Sequence, residues 1–201
     1  MNQQAREVFE TKDFQRFYKE GEMERIDWRE IPPWVIQHFE KYSERFISPE
    51  DYKPYDFEDA FTIKYLNGDV SYVAEQKKTY TGTNGATEEL VYLVDTRDGE
   101  EIGHGEIRRD ISKSPVLIGE PFVGFIKTEG EYARSGLGRR RLQTMNAYVQ
   151  MKYGQPLYSG DTITNEARAL FAKLVEEGEA DIIANPKNPT YPSYRMHRIE
   201  S

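Results

Sequence analysis

The spacing of apolar residues changes character along the chain and divides it into three stretches. In the first, Ile31-Pro32-Pro33-Trp34 is followed by Val35, Phe39, Tyr42 and Phe46 at spacings of three and four. That spacing predicts one buried helix face, and proline is tolerated in a first helical turn. An earlier helix is expected across Ala5 to Tyr18. The turn-forming run Ser48 to Pro54 then breaks the pattern. Residues 1–55 therefore read as an N-terminal helical extension and residues 56–201 as the main domain.

The second stretch is strand-like. Phe61 to Leu66 ends at Asn67-Gly68, a hairpin signal. Val70 to Lys78 and Glu89 to Thr96 follow, separated by a Thr/Gly/Asn loop at Thr79 to Thr87. Asp98-Gly99 leads into Glu101 to Arg109. An antiparallel meander is expected. In the third stretch strands alternate with helices: Phe122 to Thr128, then helix Arg139 to Tyr153, then Pro156 to Ser159. Helix Thr162 to Glu177 closes at Gly178, and strands Ala180 to Ala184 and Tyr194 to Ile199 complete the series. The predicted fold is an α+β or α/β sandwich around a mixed, mostly antiparallel, twisted sheet.

Composition narrows the chemistry. With 201 residues and a formal charge of −8, the chain suits one domain with an elaboration, and broad nucleic-acid binding is not expected. No apolar run reaches the ~18–20 residues that span a bilayer. The start, acidic and without an apolar h-region, reads as neither a secretory signal nor a transit peptide, so a cytoplasmic protein is expected. The absence of Cys excludes disulfides, thiolate metal sites and cysteine nucleophiles. His38, His104 and His197 are far apart in sequence and form no HExxH or HxH pattern, so no metal site is expected.

The most informative segment is Phe122 to Leu142, FVGFIKTEGEYARSGLGRRRL. A strand feeds a turn, and the turn feeds a helix whose start contains Gly136 and Gly138. Helix N-termini leave about four N–H groups unpaired and carry partial positive charge. Glycines let a diphosphate approach them closely, and Arg134, Arg139 and Arg140 add charge. On glycine spacing alone, an ordinary helix start with surface arginines is the simpler reading. Leu137, Leu142, Met145 and Val149 form the buried side of this helix.

With its surroundings, the segment 122–184 resembles the GNAT superfamily of acyl-CoA-dependent N-acyltransferases. Its turn Ala133-Arg134-Ser135-Gly136-Leu137-Gly138 is similar to the family's [QR]-x-x-G-x-[GA]. Asn165 to Leu174 is similar to N-x-x-A-x-x-L-Y-x-K-x-G-F, with an offset at the Asn. The resemblance extends over about residues 60–201 and implies a V-shaped split beside the strand 122–128. It implies acetyl-CoA as co-substrate, with pantetheine along Phe125, Ile126 and Lys127. The diphosphate falls at Ser135, Gly136, Leu137, Gly138, Arg139 and Arg140, beside Arg134, with Asn165 and Phe171 also on the cofactor side. Three departures stand out: Ala133 occupies the [QR] position, Phe171 replaces a frequent helix tyrosine that in the family can protonate the leaving thiolate, and residues 1–55 lack the family's opening elements.

The implied reaction is transfer of acetyl to an amine of a small-molecule or peptide acceptor. A base must first take the amine proton. Glu120, just before the central strand, is the first candidate. His104 and Glu106, two apart on one strand face, are the second. Tyr158 or Tyr191 stands in for the missing acid. Trp28, Trp34 and the aromatics of 35–46 are core residues first and a cleft lining second. The alternatives are a GNAT-like binding module without catalysis and an enzyme directed at nucleic acid or aminoacyl-tRNA. The apolar N-terminal face packs either on its own sheet or on a second subunit, as in a homodimer. His38 and His197 receive no role.

Overall fold

The computed structural model describes residues 21–43, 57–80, 86–111, 119–160, 163–184 and 192–198. Its strands are β1 (Gly21–Arg25), β2 (Phe57–Tyr65), β3 (Val70–Tyr80), β4 (Ala86–Arg97), β5 (Glu100–Asp110), β6 (Phe122–Thr128), β7 (Ala180–Ile183) and β8 (Ser193–Met196). The α-helices are α1 (Pro33–Ser43), α2 (Leu137–Tyr153) and α3 (Asn165–Glu176). Strands β1 to β6 lie side by side in chain order, each antiparallel to the next, while β7 and β8 form a separate pair. The fold is α+β.

The tight turns sit where the sequence calls for them. Gly68 has φ +85°, and Asp98 and Gly99 have φ +53° and +81°, the left-handed pair that a two-residue hairpin turn needs. Strand β4 explains how the layers assemble. Its run Leu90-Val91-Tyr92-Leu93-Val94 is buried on both faces. Val91 and Leu93 join Leu142, Met145, Tyr148 and Val149 of α2 and Phe171 and Leu174 of α3. Leu90, Tyr92 and Val94 join Ile31 and, from α1, Val35, Ile36 and Phe39. The sheet is thus a middle layer between α1 and the α2/α3 pair. Each such buried side chain contributes roughly 1.5–3 kcal/mol of transfer free energy.

This corrects the picture of residues 1–55 as a helical extension. Gly21–Arg25 is the edge strand β1, paired to β2. Its Glu24 and Arg25 reach Lys64 and Asp59 on that neighbour at 3.0 and 2.7 Å. Charge on the exposed side of a five-residue strand hides its alternation. Helix α1 packs on the sheet of its own chain. The Ala5 to Tyr18 helix, Phe46, Tyr191 and the Ser48 to Pro54 boundary lie outside the described residues, as does the side chain of Tyr42.

The Pro156 to Ser159 stretch makes a single parallel bridge, Tyr158 to Phe122, and an antiparallel one to Arg195. Val123 N–H donates to the Tyr158 carbonyl at 2.9 Å, and Tyr158 N–H to the Pro121 carbonyl at 3.0 Å. Past that point, among the described residues, no strand pairs with β6 on this side. The six-stranded sheet and the β7–β8 pair are therefore joined at the start of β6 and unpaired toward its end, a V-shaped split.

Candidate functional site

From the open end of the split, the chain passes through a 3-10 turn at Gly130–Tyr132 into α2. Gly136 caps α2 with φ +89°, and Arg134 also lies in the left-handed region at φ +64°. The first bond folding back into the helix is Arg140 N–H to the Gly136 carbonyl, 3.0 Å. The N–H groups of Leu137, Gly138 and Arg139 thus stand at the helix end, where the dipole favours an anion. A Cβ added at Gly136 would have nothing within 4 Å, so the cap faces open space. Arg134 and Ser135 are exposed there, and Ser135 Oγ donates to the Tyr132 carbonyl at 2.5 Å. Leu137 is buried beneath them.

Each member of the arginine triplet has a carboxylate partner within the chain. Arg139 pairs with Glu177 at 2.6 Å and with Glu179. Arg140 lies over the Tyr65 ring at 4.2 Å and reaches Asp69 at 2.5 Å. Arg141 is 1% exposed and donates to Asp95 at 2.9 Å and to the Lys127 carbonyl at 2.7 Å. Successive helix residues point about 100° apart, so three neighbours serve three different carboxylate sites. Beside the helix end, Arg134 is exposed.

On α3, Thr164 is the N-cap, accepting from Ala167 N–H at 3.2 Å, and Asn165 is exposed in the first turn. Phe171 is 1% exposed and stacks on Tyr194 at 5.1 Å between centroids. Its ring belongs to the core.

Strand β6 carries an extra residue. Glu106 pairs with Phe125 and Ile107 with Val123, leaving Gly124 as a bulge. A Cβ on Gly124 would lie 2.4 Å from Glu106 Oε1, so the Glu106 carboxylate rests against this backbone. Glu106 is buried and accepts from Arg108 Nε at 2.5 Å. Phe125 sits 5.4 Å from the His104 ring, Ile126 packs toward the α2 core, and Lys127 is exposed, its Nζ 2.8 Å from Glu129. His104 and Glu106 do share the α1-facing side of β5.

Glu120 is exposed at the joined end of the split, in contact with Tyr158. Burial, then the charge and hydrogen bond of Glu120, raise the Tyr158 hydroxyl above its ordinary value. The phenol therefore holds its proton. The candidate residues fall into two groups, His104 with Glu106 on the α1 side and Glu120 with Tyr158 at the root of the split.

Spacing along the chain misled on the histidines. His38 of α1 meets His104 of β5 at 4.5 Å between ring centroids. Glu101 lies between them, with Oε1 2.5 Å from His104 Nδ1 and Oε2 3.2 Å from His38 Nδ1. Burial opposes charge on Glu101, but the His104 hydrogen bond and the charges of His38, His104 and Lys127 outweigh it and hold its carboxyl below the usual glutamate value. The only local sign of this cluster is Gly103, a strand glycine beside Glu101 and His104. His197 is elsewhere, 2.9 Å from Asp181.

No helix is long and apolar enough to cross a membrane among the described residues. No family model and no curated protein matches the sequence. Solved structures do match, two of them as follows. One is described as an acetyltransferase of the GNAT family from Desulfovibrio desulfuricans: 17% identity, 53% of this chain and 67% of that chain covered, TM-score 0.37. The other is described as a streptothricin acetyltransferase from Bacillus anthracis in complex with acetyl coenzyme A: 12% identity, 89% of this chain and 100% of that one covered, TM-score 0.36.

Proposed function

We propose that this chain is a GNAT-type N-acyltransferase that moves an acetyl group from acetyl-CoA to an amine of a small molecule or peptide. One observation carries the reading: β6 is joined to the Tyr158 segment at a single bridge and then runs unpaired toward a glycine-capped helix N-terminus. An open strand edge suits the amides of pantetheine, and the N–H groups of Leu137, Gly138 and Arg139 suit a diphosphate. The co-substrate supplies an activated thioester. The chain's own residues have three tasks.

The first is to hold the diphosphate by backbone N–H groups at the Gly136 cap. The second is to take a proton from the acceptor ammonium, since only the free amine attacks. Glu120 suits this task better than Glu106. It is exposed at the root of the split, whereas Glu106 is buried and committed to Arg108. The third is to return a proton to sulfur. The amine nitrogen bonds to the acetyl carbon, the carbon–sulfur bond breaks, and the thiolate accepts a proton. The protonated Tyr158 hydroxyl is the donor in this scheme.

The test is release of CoA thiol from acetyl-CoA by the purified chain over a panel of primary amines. Turnover with at least one amine is expected. Saturable CoA binding without turnover across the panel would turn the reading into a binding module. Absence of CoA binding would remove both.

A further inference from the structure

Glu101 and His104 are three residues apart, and on a regular strand they would point to opposite faces. They share a face because β5 carries an extra residue. Asp95 pairs with Gly103 and Thr96 with Glu101, leaving Ile102 as a bulge. The bulge is held by Gly103 at φ +153°, where a Cβ would lie 2.5 Å from the Lys127 carbonyl and closer still to Arg141. Only glycine fits there. Helix α1, docked through Val35, Ile36 and Phe39, brings His38 against the same spot. Three donor atoms, one each from His38, Glu101 and His104, then lie within 4.8 Å of one another.

We propose that His38, Glu101 and His104 bind a divalent transition-metal ion, zinc first among them, and so staple α1 to β5 beside the split. Two imidazoles and one carboxylate are donors that zinc accepts at about 2.0–2.2 Å, with a fourth position for water. With no thiolate in the set, the softest ions are disfavoured, and calcium and magnesium prefer all-oxygen sites. The 3.2 Å separation of Glu101 Oε2 and His38 Nδ1 is close to the ligand–ligand spacing of a small tetrahedral centre. Glu101 Oε1 and His104 Nδ1 are 2.5 Å apart, a hydrogen bond that metal binding would replace as the carboxylate turns. His104 is buried, and His38 and Glu101 are half-buried, so an ion enters from the α1 edge without opening the core.

The experiment is calorimetric titration of zinc into the chelator-stripped full chain near neutral pH, beside cobalt(II) absorption spectra of the same protein. The expected result is one saturable site, a visible low-coordinate cobalt spectrum and a melting temperature that rises with zinc. His38→Ala and Glu101→Gln should each weaken binding by roughly a hundredfold or more. His38 is less buried than His104, so His38→Ala keeps the test open if a His104 variant fails to fold. No saturable zinc binding, a six-coordinate aquo-type cobalt spectrum, or affinity unchanged in both variants would overturn the site. An activity whose pH dependence shifts in the variants while no metal binds would overturn it too, in favour of a proton relay.

Discussion

Arg141 donates its Nε–H to the carboxylate of Asp95 at 2.9 Å, and both residues are 1% exposed. Asp95 also accepts from Ser71 at 2.6 Å, so a helix, the β4 strand and the β3 strand meet on one buried carboxylate. Through a second bond to the Lys127 carbonyl, Arg141 also fixes the open end of β6. Arg141→Leu leaves the Asp95 charge uncompensated in the core. It should cost about 3–5 kcal/mol in chemical denaturation, and replacing Asp95 with Asn alongside should recover part of that loss.

Gly136→Val should weaken CoA binding at least about tenfold, equivalent to about 1.4 kcal/mol. The cap has room, so the added side chain meets no protein atom and instead occupies the approach to the helix end. The left-handed φ adds local strain, so calorimetry is to be paired with a thermal melt. Unchanged affinity in a folded variant would remove the site from α2.

The arginines next to that cap should behave unequally. Arg139→Gln and Arg140→Gln should change CoA affinity by less than about threefold, because their guanidinium groups are engaged with Glu177, Glu179 and Asp69. Arg134→Gln, at the exposed turn, should weaken binding and flatten its salt dependence. Equal losses from all three would place the anion against the side chains instead.

Asp69 gives the fold an acid limit. Burial works against its charge, but hydrogen bonds from Arg97, Arg140 and Asn67 prevail and pull its pKa from 3.8 to about 2. A carboxyl depressed in the folded state adds stability above its unfolded pKa and loses it as pH falls through the folded value. About 2 kcal/mol should therefore disappear between roughly pH 4 and pH 2. Asp69→Asn should be less stable at neutral pH and lack that acid slope in urea melts.

Glu120→Gln should lower kcat by about a hundredfold or more while CoA affinity holds, if it takes the amine proton. A wild-type rate in the variant would return the role to the α1 side of β5.

The sequence carried the local features well. Asn67-Gly68 and Asp98-Gly99 marked real hairpins, and Phe122 to Thr128 matched β6 end for end. Backbone rules govern these features within a few residues. Features built by docking were harder to read. Met23 in β1 is apolar between two glutamates, too short a pattern to register. The arginine triplet read as one patch because adjacency in sequence says nothing of direction around a helix. His38 and His104 looked unrelated because only the seating of α1 on the sheet unites them. In the same way Phe171 read as a substituted catalytic position, and its stacking on Tyr194 comes from the β7–β8 pair.

The order of strands in the sheet has a consequence for how the molecule is assembled. Strands β2 to β5 each pair with the next strand along the chain, so their contacts close short loops and can form early. The bridge between Phe122 and Tyr158 must wait, because α2 lies between its two halves. Pulse-labelled hydrogen exchange during refolding should protect Val91 and Leu93 before Val123. A chain halted partway would then hold a finished meander with no cleft in it, and the split beside β6 would be the last part to appear.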